Sequence, residues 1–216
     1  MNFTKTIRNY LKENEDGIFD FGYEYKERFY MIPFNTYFVV VKRLEKEGLI
    51  LPLDKGTYLI VSNTIDKEDA VDSYYAAEGH GMVLGYKLFN KIGVSTKEVP
   101  KYEIISNRIS TTTKHVGDIK ITRYECFYFD EVTKSIISVL EILKYGFIEI
   151  EECCKTSQLL LICESLCRKY DDEIFKELIN KVHYTFKILR EYARLLKIYN
   201  VPNNAMSIIS RGVLID

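Results

Sequence analysis

Apolar positions mark out the first elements of the chain. Phe3, Ile7, Tyr10 and Leu11 recur at three- and four-residue spacing, the period of one helical face, so residues 3–14 are predicted as a helix. Asp16-Gly17 ends it. Ile18-Phe19 reads as a short extended segment and residues 23–31 as a short second helix. Residues 35–47 form a stronger helix, with Asn35 as its N-cap and Gly48 as its left-handed stop. Two apolar runs, LILPL and TYLIV, then flank Asp54-Lys55-Gly56, a pattern that predicts a hairpin with glycine in the turn. The order helix, short strand, helix, helix, hairpin matches a winged helix-turn-helix. In that fold Val41 and Leu44 face the core with Ile7 and Leu11, while Thr36, Tyr37, Lys42 and Arg43 stay on the outer side of the third helix. The second helix of such a pair enters the major groove of DNA.

After residue 62 the pattern changes. Residues 67–77 and 80–92 read as helices around Gly79-His80-Gly81. Residues 102–107 and 118–124 alternate as strands. Residues 131–145 form a helix with Val132, Ile136, Val139, Leu140 and Leu143 inward. From about residue 155 the chain is predicted helical to Tyr199, where Asn200-Val201-Pro202-Asn203-Asn204 breaks it. The last twelve residues carry no clear period. The expected class is α+β: a winged helix-turn-helix domain over residues 1–62, then a mixed, mainly helical C-terminal domain with a small sheet over 63–216.

Charge narrows the function classes. The chain carries 30 Lys and Arg against 31 Asp and Glu, so it lacks the basic excess of a non-specific polyanion binder. Residues 1–62 balance at nine basic and nine acidic side chains, so any DNA-binding face must come from arrangement. No apolar run is long enough to span a bilayer, and the N-terminus turns charged too soon for a signal peptide. Five cysteines without a secretory signal read as reduced thiols in a cytoplasmic protein.

Two stretches carry a family resemblance. The segment VVVKRLEKEGLILPLDKGTYLI, through Leu44, Gly48, Leu49, Ile50, Gly56 and Tyr58, resembles the winged-helix end of AbiEi-type antitoxins of type IV toxin–antitoxin (abortive infection) systems. The segment GMVLGYKLFNKIGVSTKEVPKYEIISN, through Gly81, Gly85, Asn90, Gly93, Ser95, Thr96 and Pro100, resembles the next part of that family. The resemblance covers roughly residues 5–125. It implies a cytoplasmic bacterial repressor of its own operon, binding double-stranded DNA through the N-terminal domain. It also implies that the C-terminal part counteracts a nucleotidyltransferase-like toxin and that the protein is not an enzyme. One departure stands out: the family's wing carries Arg, and here it reads Leu53-Asp54-Lys55.

The remaining chemistry-bearing residues each admit a plain structural role. Lys187, Arg190, Arg194 and Lys197 share one stripe of a helix over 181–199, opposite Val182, Phe186, Leu189, Ala193 and Leu196. That stripe is a candidate contact for an acidic partner or DNA phosphates, or simply a solvated face. Gly79-His80-Gly81 with Gly85 lacks the preceding strand that a phosphate-cradling loop needs. Cys153-Cys154 and Cys163-x-x-x-Cys167, with His183, do not reach the compact four-ligand spacing of zinc sites, and Cys163 and Cys167 read as core residues. The three histidines, His80, His115 and His183, fall in no nucleophile motif. Glu151-Glu152 and Asp171-Asp172 read as helix-start charges.

The expectation is therefore a DNA-binding antitoxin-like regulator that meets its promoter through Thr36, Tyr37, Lys42, Arg43 and Lys55. No metal or cofactor is expected, no membrane contact is expected, and a homodimer is left open. Two other readings stand beside it: a winged helix used only for protein contact, on the balanced charge of residues 1–62, and an enzyme with an unrecognised site.

Overall fold

The computed structural model describes residues 2–14, 17–61, 66–125, 128–147, 150, 156–181 and 184–212. They build a mixed α+β fold with two small sheets. Helix α1 (Phe3–Glu13) opens with the Asn2 side chain accepting from Lys5 N, and it buries Ile7 and Leu11. Strand β1 (Ile18–Asp20) leads directly into α2 (Phe21–Glu24), which widens into a π turn over Tyr25–Phe29. The second helix thus starts earlier than the sequence pattern suggests. Asp20 is its cap, taking hydrogen bonds from Gly22 N and Tyr23 N at 3.1 and 3.0 Å.

Helix α3 (Phe34–Lys46) follows Pro33, whose carbonyl accepts from Tyr37 N. Asn35 lies inside the helix, so it is not the cap the sequence suggested, and no side chain caps this end. Strands β2 (Ile50–Asp54) and β3 (Thr57–Ile60) form the hairpin, with a register shift between Pro52 and Asp54. Gly48 after α3 and Gly56 in the turn take φ of +73° and +71°, where a side chain would clash with the backbone. Strand β1 pairs antiparallel with β3, giving the order β1-β3-β2. An aromatic cluster fills the space between this sheet and the helices. Its centre is Tyr37, with ring centroids of Phe19, Phe21, Tyr25 and Phe29 between 4.7 and 6.3 Å away.

The rest of the chain surrounds a four-stranded sheet. Helix α4 (Lys67–Tyr75) precedes β4 (Gly81–Val83), α5 (Gly85–Lys91), β5 (Tyr102–Ser106), β6 (Thr113–Val116) and β7 (Ile119–Arg123). The order is β4-β5-β7-β6, with β5 and β7 parallel and the outer pairs antiparallel. Helix α6 (Glu131–Tyr145) runs through the core and buries Ile136, Ile137, Val139, Leu140 and Ile142; Val132 and Leu143 are partly buried. Helices α7 (Thr156–Cys167), α8 (Asp172–Ile179), α9 (Phe186–Ile198) and α10 (Ala205–Gly212) complete the structure. No helix of the described residues is long and apolar enough to cross a membrane.

The helix expected over 80–92 is instead a strand followed by a short helix. Gly81 sits so close to Tyr75 O and Ile105 O that an added Cβ would lie 2.2 and 2.3 Å from them. That approach lets Gly81–Val83 pair with β5, so a strand stands where a helical period was read.

Two apolar clusters share the interior. One draws on α1, β1, α3, β2 and β3; the other runs from Ala70 to Ile209 and takes in Ile18. Between them lies a polar seam. Asp20, 1% exposed, accepts from the Tyr75 hydroxyl at 2.7 Å and from Lys114 Nζ at 2.5 Å, and Lys114 also donates to Gly56 O at 3.3 Å. Glu24, equally buried, accepts from the Tyr74 hydroxyl at 2.6 Å. A buried carboxylate left unpaired is costly, so this seam dictates how the two clusters meet. Lys114→Met is expected to lower unfolding free energy by about 3 kcal/mol, because it strips the countercharge from a buried acid. Urea unfolding followed by circular dichroism checks this. Lys101→Met, which removes an exposed pair with Asp118, should sit within about 0.5 kcal/mol of the parent.

Candidate nucleic-acid interface

The helical repeat of α3 decides which of its residues face outward. Tyr37, Val40, Val41 and Leu44 fall on one stripe and are buried. Asn35, Thr36, Phe38, Val39, Arg43 and Lys46 are exposed. Beside α3 and the N-terminal end of α1 runs an open groove of about 770 Å³, lined by Asn2, Phe3, Thr4, Asn35, Thr36, Val39, Val40 and Arg43.

Of the five side chains the sequence reading assigned to DNA, Thr36 and Arg43 are exposed on this face, and Lys55 is exposed in the β2–β3 turn. Arg43 forms no ion pair among the described residues. Tyr37 is a correction. It is wholly buried, its hydroxyl donates to Phe21 O at 3.1 Å, and burial, with Glu24 and Asp20 nearby, pushes its pKa well above the ordinary tyrosine value. Its spacing to Val41 and Leu44, four and seven residues, already placed it on the inner stripe. Lys42 is half-committed. Its ammonium donates to Glu45 at 2.7 Å and lies 5.9 Å from the Tyr58 ring centroid, and the Glu45 contact raises its pKa. Arg8 on α1 is paired with Glu47 just beyond α3.

The same face carries apolar surface. Phe38 and Val39 are about half exposed, whereas Val40 is buried. Phe34, Tyr30 and Met31, at the start of α3 and just before it, are also exposed, Met31 to 77%. Phe34 and Phe38 rest edge-on against Phe21.

The second candidate surface lies on α9. Lys187, Arg190, Arg194 and Lys197 are all exposed along one side, with Leu189, Tyr192, Ala193 and Leu196 buried on the other. Arg194 pairs with Glu191 at 2.6 Å. Phe186 is 45% exposed rather than inward, because α9 begins there, with Thr185 as its cap. Val182 lies outside the described residues, as do Cys153, Cys154, His183 and Glu151-Glu152. Cys163 and Cys167 are buried free thiols of the core, and burial pushes each up to about 12. Asp171 caps α8 by accepting from Glu173 N and Ile174 N.

Comparison with protein-family models and with curated proteins gives no match for this chain. Its geometry therefore carries the functional reading.

What the α3 face can do follows from its groups. Thr36 and Asn35 offer short polar side chains near the helix start, suited to base edges or phosphates. Arg43 and Lys55 offer charge that is not consumed by an internal ion pair among the described residues. Tyr37 offers nothing to a ligand, because its ring is the hub of the aromatic cluster. Tyr37→Ala is expected to destabilise the fold by about 3–5 kcal/mol, the cost of emptying a large aromatic site. Chemical denaturation of Tyr37→Ala beside Thr36→Ala checks this, with Thr36→Ala expected near the parent value.

Proposed function

We propose that residues 1–62 are a winged helix-turn-helix and that the chain is a DNA-binding regulator, docking α3 and the β2–β3 turn on its own promoter. The observation that carries this reading is the sheet β1-β3-β2 formed by a short strand and a hairpin on either side of the helices in sequence. It holds α3 with Asn35, Thr36, Arg43 and Lys46 outward and puts Lys55 at the tip of the neighbouring turn. In this docking Asn35 and Thr36 reach base edges, while Arg43 and Lys55 take phosphates. Few free cations mean few released counterions, so one copy binds weakly and a symmetric dimer on two half-sites binds usefully.

The resemblance to AbiEi-type antitoxins supplies the rest of the proposal. Residues 63–216 counteract a nucleotidyltransferase-like toxin, with Lys187, Arg190, Arg194 and Lys197 as the surface for an acidic partner or for DNA phosphates. The expectation that the protein is not an enzyme belongs to the same proposal.

A second reading has its own observation. Tyr30, Met31, Phe34, Phe38 and Val39 form exposed apolar surface on and beside α3, which suits contact with another protein.

Gel shifts with the chain's own upstream DNA separate the two. The DNA reading expects a shift at low salt. It also expects Arg43→Glu with Lys55→Glu to weaken binding at least about tenfold and to flatten the salt slope by about 0.9 per lost phosphate contact. Absence of any shift at low salt removes the DNA reading and leaves the protein-contact one.

A further inference from the structure

The seam between the two apolar clusters is not closed along its whole length. A cleft of about 310 Å³ opens there, its walls shared by Tyr10, Tyr23, Glu24 and Arg28 from one side and by Tyr74, His80 and Arg108 from the other. Its groups fall into two complementary sets. Arg28 and Arg108 supply donors. Arg108 spends one nitrogen on Tyr74 O at 3.1 Å and stacks 5.0 Å from the Tyr74 ring centroid, and it has no carboxylate partner among the described residues. Arg28 stacks 5.2 Å from the Tyr10 ring centroid, and its side chain is 55% exposed.

Acceptors form the second set. Glu24 is 1% exposed, and its Oε1 is taken by Tyr74. Its Oε2 lies 3.0 Å from Arg28 Nε and forms an ion pair with it. Oε2 is closed off from the cleft, so Glu24 acts there as the acid that holds Arg28 in place. His80, half-buried, is the acceptor that lines the cleft. Asn107 Nδ2 donates to Gly79 O, which turns Asn107 Oδ1 toward His80 Nδ1 at 3.1 Å. Burial, with Arg108 nearby, lowers the imidazole pKa, so the ring is neutral, Nδ1 carries the proton and Nε2 keeps its lone pair. Tyr23, half-buried, lines the same cleft and supplies an aromatic wall.

We propose that this cleft binds a nucleoside monophosphate whose base bears an amino group. The phosphate takes the free donors of Arg28 and Arg108, since guanidinium groups match phosphate oxygens in pairs. The amino group donates to His80 Nε2, and the base lies against Tyr23. The volume stands at the lower end of small-molecule sites, which suits a mononucleotide. Because both sides of the seam contribute, the bound nucleotide clamps the N-terminal unit onto the rest of the chain. This inference does not rest on the DNA reading.

The test is isothermal titration of the full chain with AMP, GMP, CMP and UMP, and with adenosine and inorganic phosphate as separate arms. The amino-bearing AMP, GMP or CMP is expected to bind at least about tenfold tighter than UMP, adenosine or phosphate. Arg28→Gln and Arg108→Gln are each expected to weaken that binding at least about tenfold. Arg28 is largely solvent-facing, so its variant decides the matter if Arg108→Gln does not fold. No binding of any monophosphate at millimolar concentration overturns the proposal. So does binding that inorganic phosphate or UMP matches, or that Arg28→Gln leaves unchanged.

Discussion

Asp20 is the residue on which the arrangement turns. It ends β1, caps α2, and accepts from Tyr75 on α4 and Lys114 on β6, while Lys114 reaches the β2–β3 turn through Gly56 O. A carboxylate this deeply buried is tolerable only when its oxygens are filled by hydrogen bonds and its charge is countered. Here the donors come from separate elements, so satisfying the acid fixes the direction in which α2 leaves the sheet. That direction places the Tyr37 hub and with it α3. The outward face of α3, the basis of the functional proposal, is therefore set by an acid that never reaches solvent.

The same device recurs. Glu24, one turn further, gathers Tyr74 and lies against Arg28. Glu141, 1% exposed in the middle of α6, accepts from Tyr184 at 2.8 Å, Lys144 at 3.0 Å and Gly85 N at 3.3 Å, tying α5 and the chain before α9 to the central helix. Apolar packing supplies most of the driving force for such a core, but it is not directional. Asp20 and Glu141 in particular add direction, because each has both oxygens satisfied in one arrangement of its neighbours.

Much of this was legible in the sequence, and the misses share a cause. Helices α1, α3 and α6 and strands β5 and β7 announce themselves through three- to four-residue or two-residue periods, and the hairpin through Gly56. Strand β4 did not, because what makes it a strand is the squeeze on Gly81 between α4 and β5, a contact between distant parts of the chain. Strand β6 reads Thr113-Lys114-His115-Val116 and gains its place by pairing with β7 and by sending Lys114 to Asp20. Within the candidate site, Thr36, Arg43 and Lys55 are exposed groups, whereas Tyr37, expected on the outer side of α3, follows the spacing of the buried stripe. The cleft residues Arg28 and Arg108 lie eighty residues apart in sequence, and only the fold brings them together.

If the seam governs the orientation of α3, stability should not be local to either cluster. Amide hydrogen exchange resolved by residue tests this most directly. In the parent chain, Val41 and Leu44 of α3 should open with the same free energy as Ile104 and Ile121 of the central sheet, because both report one cooperative unfolding. In Lys114→Met the α3 amides should become the easier to open, while those of β5 and β7 stay close together. Exchange of α3 that is already independent of the sheet in the parent chain, or that ignores the loss of Lys114, would contradict the account.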